Sequence, residues 1–128
     1  MCEVLVCLGG CHAPAFRARV LRSWGGRLRG LLGTTRADPS VGPVLLVRCG
    51  SVHTFGMRYE LDLALLDDEG RVLATRRGMG PGRVVSAHGA CLALERPSGL
   101  GPWPEVGEYV RFEKAEATGA ARMPGMGA

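Results

Sequence analysis

Aromatic side chains are scarce in this 128-residue chain and make up only 5% of it. Modules that bind single-stranded nucleic acid usually present several rings on which bases stack, so the composition argues against a nucleic-acid partner. Lysine is nearly absent, because fifteen of the sixteen basic residues are arginine, and the net charge is +4. The five arginines from Arg17 to Arg29 are typical either of a phosphate-binding patch or of a solvated rim on a sheet edge. We favour the rim.

Long hydrophobic runs are also missing from the start of the chain. The apolar run at residues 4–8 is too short for a signal peptide or a membrane-spanning helix, so we expect a cytoplasmic protein without membrane contact. Five cysteines, an odd number, fit reduced thiols there. Cys7, Cys11 and His12 do not have a standard zinc spacing, and no second cysteine pair follows. The sequence leaves open whether these three residues bind a metal, and we expect no cofactor.

Glycine and proline are abundant, at 20 and 8 residues, which favours short strands joined by many turns. Residues 61–66 alternate so that three leucines share one face, as in a strand. Residues 67–70, with the sequence DDEG, supply a turn, and residues 71–77 form the returning strand. The apolar run at residues 44–47 predicts a central strand that is covered on both faces.

These patterns predict an all-β fold, a small antiparallel β-sandwich or barrel of jelly-roll type with seven to nine short strands. Apolar residues at helical spacing in residues 23–32 predict one short N-terminal helix. The length fits a single domain over residues 1–114. Small residues, glycine and proline dominate residues 115–128, where we expect a disordered tail.

Asp62 is the unusual residue of the predicted hairpin, because it lies between two leucines of an apolar strand. An unpaired carboxylate at a buried position costs several kcal/mol, so it needs a partner. The candidate partners are His53, Arg58, Arg83 and backbone N–H groups. Asp62 is then either a structural acid that ties a loop to the end of the barrel, or one half of an Asp–His pair in a binding or catalytic site.

The residues around Asp62 resemble the hallmark of a known family. HTFGMR at residues 53–58, followed by LDLALLD at residues 61–67, is similar to the central motif of domain-of-unknown-function family 192. Three further segments resemble that family in the same order: RGLLG at residues 29–33, LE at residues 94–95 and VGEYV at residues 106–110. The resemblance covers residues 17–112. It implies a small β-sandwich or barrel of jelly-roll type and no particular reaction.

Chain polarity and the family resemblance together suggest one candidate site, since loops and pockets gather at the mouths of barrels. The residues expected to converge there as ligand-binding groups are His53, Met57, Asp62, Arg83 and Glu95. The glycine-rich residues 78–83 lack the Gly-Lys-Ser/Thr ending of a P-loop. Their backbone N–H groups, assisted by Arg83, are nevertheless suited to an anion. His53 lies beside Phe and Met, which also fits a purely structural histidine.

Two classes of function remain compatible with the sequence. The first is a non-enzymatic binding or accessory module that engages a small ligand or a protein partner through the end that carries His53 and Asp62. The second is a hydrolase-type enzyme with His53 as general base and Asp62 orienting it, although no serine or threonine lies in a nucleophile motif. Nucleic-acid binding through residues 17–29 ranks third. The oligomeric state is not encoded in any pattern.

Overall fold

A computed structural model describes residues 3–10, 13–22, 42–99 and 101–115, and these ranges contain nine β-strands and no helix. The strands are β1 (Glu3–Leu8), β2 (Phe16–Leu21), β3 (Val44–Val47), β4 (Ser51–His53), β5 (Leu61–Leu66), β6 (Val72–Met79), β7 (Val84–Ser86), β8 (Leu92–Pro97) and β9 (Val110–Lys114). The predicted all-β class is confirmed. The helix expected at residues 23–32 lies outside the described residues, as does the predicted tail beyond residue 115. Among the described segments, none is a helix long and apolar enough to cross a membrane.

Seven strands form one curled sheet in the order β6-β5-β8-β3-β2-β1-β9, and β4 and β7 form a small second sheet. The two edge strands of the large sheet meet at one end, where Arg71 bridges to Tyr109. There Val72 N–H donates to the carbonyl of Glu108 (2.9 Å) and Val110 N–H donates to the carbonyl of Gly70 (2.8 Å). The sheet therefore curls into a half-barrel.

One strand pair departs from the predicted antiparallel arrangement. β2 and β3 run parallel, with Arg19 opposite Val44 and Leu21 opposite Leu46. A parallel pair needs a long crossover between its strands, and the chain between β2 and β3 is long enough to provide one. The spacing of apolar residues reveals where a strand lies but not its direction in the sheet, which is why the sequence does not show this pair.

β5 lies between β6 and β8, and all six of its residues are buried. Ala64 and Leu66 pack on one face with residues from β1, β2, β3 and β8. Leu63 and Leu65 pack on the other face, which the β4–β7 sheet covers. The predicted alternation of this strand is confirmed, and both faces are buried because the strand lies between two layers of core.

The turn between β5 and β6 fixes the point where the half-barrel closes. The Asp67 carboxylate accepts hydrogen bonds from the N–H groups of Glu69 and Arg71, both at 2.9 Å. Gly70 has a φ of +87°, which side chains with a Cβ adopt only with strain. A Cβ at Gly70 would also collide with the carbonyl oxygen of Val110, so glycine lets the turn approach β9.

We expect Gly70→Ala to destabilise the protein more than a glycine substitution with the same backbone strain in open space. Gly99 has a φ of +91°, and a Cβ added there would meet no other atom within 4 Å, so Gly99→Ala should lose only the strain energy of about 1–2 kcal/mol. Gly70→Ala adds the collision with β9 and should lose roughly twice as much free energy of unfolding. Urea denaturation measures both, and equal losses would contradict the proposed role of the close approach.

Candidate functional site

The Asp62 carboxylate is fully buried, and both of its oxygens accept hydrogen bonds. Its Oδ2 accepts a hydrogen bond from Arg96 Nε at 3.1 Å, and the two residues lie opposite each other in β5 and β8. Its Oδ1 accepts from the Gly78 N–H and from Ser98 Oγ, both at 2.9 Å. Burial raises the pKa of Asp62, but the hydrogen bonds from Gly78, Ser98 and Arg96 outweigh it and hold the pKa below the ordinary value.

Arg96 is itself buried, with only 1% of its surface exposed. The central carbon of its guanidinium lies 4.6 Å from the ring centroid of Trp103 and 5.4 Å from that of Phe16, in cation–π geometry. The guanidinium also donates to the carbonyl of Gly101. These contacts identify Asp62 as a structural acid, with Arg96 as the partner that its burial requires.

His53 has a different environment from Asp62. It is exposed, it lies opposite Val84 in the β4–β7 sheet, and its ring stacks on Phe55 with centroids 5.4 Å apart. Within the described ranges no hydrogen bond or ion pair joins His53 to Asp62. The predicted Asp–His pair is therefore not formed. A general base at His53 would lack the carboxylate that was expected to orient it.

Thr54 organises the glycine-rich loop at residues 78–83. Its fully buried hydroxyl donates to the carbonyl of Gly80 (2.8 Å) and accepts from the N–H of Arg83 (2.9 Å). Its backbone N–H donates to the carbonyl of Arg83 (2.8 Å), and its carbonyl accepts from the N–H of Gly82 (3.2 Å). Sequence reasoning gives Thr54 no role. The one sequence feature that could have indicated this role is the position of Thr54 as a small polar residue inside the HTFGMR motif.

A groove of about 350 Å³ runs along this loop and is lined by residues 76–80 and 83–85. We call it the arginine groove, because Arg76, Arg77 and Arg83 line it and none of its described lining residues is acidic. Arg77 donates to the carbonyl of Gly101 (3.0 Å) and lies 3.8 Å from Asp62 Oδ2. No ion pair within the described residues neutralises Arg76 or Arg83. The sequence assigns Arg76 and Arg77 to the returning strand alone.

The backbone of the loop is less available than the sequence suggests. The N–H of Gly78 is used by Asp62, and the N–H groups of Gly82 and Arg83 are used by Thr54. An anion in the groove would therefore meet guanidinium groups rather than these N–H groups. Guanidinium groups form strong, charge-assisted hydrogen bonds with carboxylate and phosphate.

Met57 and Glu95 lie in the interior. Met57 packs with Val44 and Leu61, and Glu95 lies in the sheet between Val44 and Leu63, on the face opposite to Asp62. Glu95 is only 4% exposed, and its carboxyl makes no hydrogen bond or ion pair among the residues that the structure describes. Burial raises the pKa of Glu95 to about 7.

The five predicted site residues are thus only partly brought together. Arg83 lines the arginine groove, Asp62 holds the groove residue Gly78, and His53 lies opposite the groove residue Val84. Met57 and Glu95 are buried and do not line the groove. No group of three or more potential metal ligands occurs within the described parts of the chain. Cys7 is buried in β1, whereas Cys11 and His12 lie outside the described residues.

No family model matches this chain, and no curated protein matches it. Two solved structures are similar. One is a protein of unknown function from Novosphingobium aromaticivorans DSM 12444, with a TM-score of 0.65, 18% identity, and coverage of 87% of this chain and 84% of that one. The other, from Sinorhizobium meliloti 1021, is described as a candidate transcription regulator, with a TM-score of 0.66, 15% identity, and coverage of 86% and 93%. At these identities the similarity shows a shared fold and nothing further.

Asp62→Asn should strongly destabilise the protein, because it removes the counter-charge of the buried Arg96 guanidinium. Breaking one half of a buried ion pair costs on the order of 3–5 kcal/mol of unfolding free energy. Urea denaturation at neutral pH measures the loss. Asp68→Asn makes the same chemical change at an exposed position of the turn and should have little effect. A loss below about 1 kcal/mol for Asp62→Asn would contradict the structural role of the pair.

Glu95→Gln should remove one component of the pH dependence of stability. The carboxyl ionises near 4.5 in the unfolded chain but stays protonated up to about pH 7 in the folded protein. The folded state therefore binds more protons, so the wild type loses stability as the pH rises from about 4.5 through about 7. The loss is about 3 kcal/mol, since one pKa unit corresponds to about 1.4 kcal/mol.

Urea denaturation at pH 5 and pH 8 measures this component as the stability difference between Glu95→Gln and the wild type. The difference should shift in favour of the variant at the higher pH. Glu69→Gln, at an exposed turn position, serves as the control and should show no such shift. A Glu95→Gln difference that is the same at both pH values would show that Glu95 ionises normally in the folded protein.

Proposed function

We propose that this protein is a non-enzymatic binding module whose arginine groove takes the carboxylate or phosphate group of a small ligand or protein partner. The observation that carries the proposal is the composition of the groove. Three arginines line it, and no acid does among its described lining residues.

The electrostatics of the neighbouring acid supports this proposal. Two carboxylates lie beside the groove residue Gly78: Asp62 accepts its N–H, and Glu60 Oε1 lies 3.4 Å from the position that a Cβ would take there. The contact of Asp62 with a groove arginine is 3.8 Å to Arg77, and its shorter bonds go to Arg96, Ser98 and Gly78. No ion pair among the described residues involves Arg76 or Arg83, so their positive charge is left for an external anion. Cationic clefts of this kind concentrate negatively charged ligands and accelerate their association.

We also propose that the chain is a divergent member of domain-of-unknown-function family 192, with the half-barrel and its β4–β7 cover forming a jelly-roll-type sandwich. Support comes from the two motif residues Thr54 and Asp62, which hold opposite ends of the groove loop. Reduced cysteines fit a cytoplasmic module. The similar protein from Sinorhizobium meliloti 1021 is described as a candidate transcription regulator. Fold similarity at 15% identity does not carry that role over, so we assign no nucleic-acid partner to this chain.

A titration with inorganic phosphate and with acetate, followed by amide-resolved NMR at low ionic strength, tests the proposal. The amides of residues 76–80 and 83–85 should shift in a saturable manner, and the affinity should fall as salt is added. Arg83→Ala should weaken binding by about threefold to tenfold, because a charge-assisted hydrogen bond is lost.

Arg71→Ala is the matched control, since Arg71 is an exposed arginine at the opposite end of β6. It should bind both anions as the wild type does. Absence of saturable shifts with either anion would overturn the proposal. So would an equal loss of affinity in the two variants, which would indicate only a response to net charge.

A further inference from the structure

The arginine groove continues into an exposed apolar surface. Four large hydrophobic side chains are exposed among the described residues: Phe55 at 53%, Val84 at 59%, Val106 at 62% and Tyr109 at 51%. Val84 is itself a lining residue of the groove. It lies directly opposite His53 in the small sheet, and the His53 ring stacks on Phe55. We call these three residues, Val84, His53 and Phe55, the aromatic shelf.

The shelf is held at a fixed position relative to the groove. Thr54, between His53 and Phe55 in the chain, is fully buried and exchanges two backbone-directed hydrogen bonds with Arg83. Its N–H donates to the Arg83 carbonyl at 2.8 Å, and its hydroxyl accepts from the Arg83 N–H at 2.9 Å. A ligand would therefore meet a preorganised combination of flat apolar surface and guanidinium groups, with little ordering cost on the protein side.

We propose that the ligand joins its anionic group to an aromatic ring, so that the anion lies in the arginine groove and the ring lies on the aromatic shelf. This inference rests on the proposed function of the groove. Single exposed hydrophobic residues need no explanation. What distinguishes Phe55 and Val84 is their continuity with a cationic groove. Stacking of the ligand ring on Phe55, whose own ring stacks on His53, adds affinity that an anion alone does not obtain.

The shape of the surface favours a small aromatic anion over a long nucleic-acid strand. Proteins that bind single strands offer successive aromatic platforms along a basic track, whereas the shelf offers one stacked pair of rings beside one groove. The ligand class is thus a small aromatic phosphate, such as an aryl phosphate or a mononucleotide, or an aromatic carboxylate.

Two matched pairs of probes test the inference in NMR titrations. Methyl phosphate and phenyl phosphate carry the same anionic group, as do acetate and benzoate, so each pair isolates the ring. The wild type should bind the ring-bearing member about tenfold more tightly in at least one pair, with shifts extending from residues 83–85 to residues 53–55. The pair that gives the larger gain distinguishes a phosphate ligand from a carboxylate ligand.

Phe55→Ala should abolish the gain for the ring-bearing probe and leave the affinity for methyl phosphate and acetate unchanged. Tyr109→Ala is the control, since Tyr109 is equally exposed but lies just before β9, opposite Arg71 and about 25 Å from the groove end of β6. Phe55→Leu, which keeps an apolar side chain without a ring, shows whether stacking is required.

Equal affinity for both members of both pairs would overturn the inference and leave the proposed groove intact. A gain that persists in Phe55→Ala would likewise overturn it. Failure of all four probes to bind would instead reject the proposed function of the groove, and the inference with it.

Discussion

The buried ion pair between Asp62 and Arg96 is the interaction on which the rest of this structure depends. Taking two charges out of water is favourable only when every polar atom finds a partner. Here the partners come from separate parts of the chain, with Gly78 from the end of β6, Ser98 from the segment after β8 and Gly101 from the loop beyond it. The buried ion pair thus joins three segments that are separate in the sequence.

The need of buried Asp62 for hydrogen-bond partners also shapes the arginine groove, since one of these partners is the groove residue Gly78. Asp62 binds the Gly78 N–H, and Thr54 binds backbone groups of Gly80, Gly82 and Arg83, so these backbone groups of the glycine-rich loop are satisfied internally. Arg76 and Arg83 line the groove and form no ion pair among the described residues, although Arg76 Nη1 donates to the carbonyl of Thr75 (2.8 Å). In the proposed module, backbone groups and acids therefore stabilise the fold, and the arginine side chains are left to bind the anion.

The sequence is informative where the structure is local. Alternating leucines in β5 and the turn at Gly70 depend on neighbours in the chain, and both are found as predicted. The burial of Asp62 and its need for a partner can also be predicted. Its partner cannot, because the pairing of β5 with β8 brings Arg96 from 34 residues away. For the same reason, the structure does not bring Glu95 to the groove. The pairing of β8 with β3 and β5 buries this residue between Val44 and Leu63.

The crystal structure of this protein with bound phenyl phosphate would test the account most directly. The account predicts the phosphate within hydrogen-bond distance of the Arg76 and Arg83 guanidinium groups, the ring against Phe55, and the Asp62–Arg96 pair intact. A phosphate bound instead by Arg96, with Asp62 released from it, would contradict the account, since the pair would then be part of the binding site rather than its support.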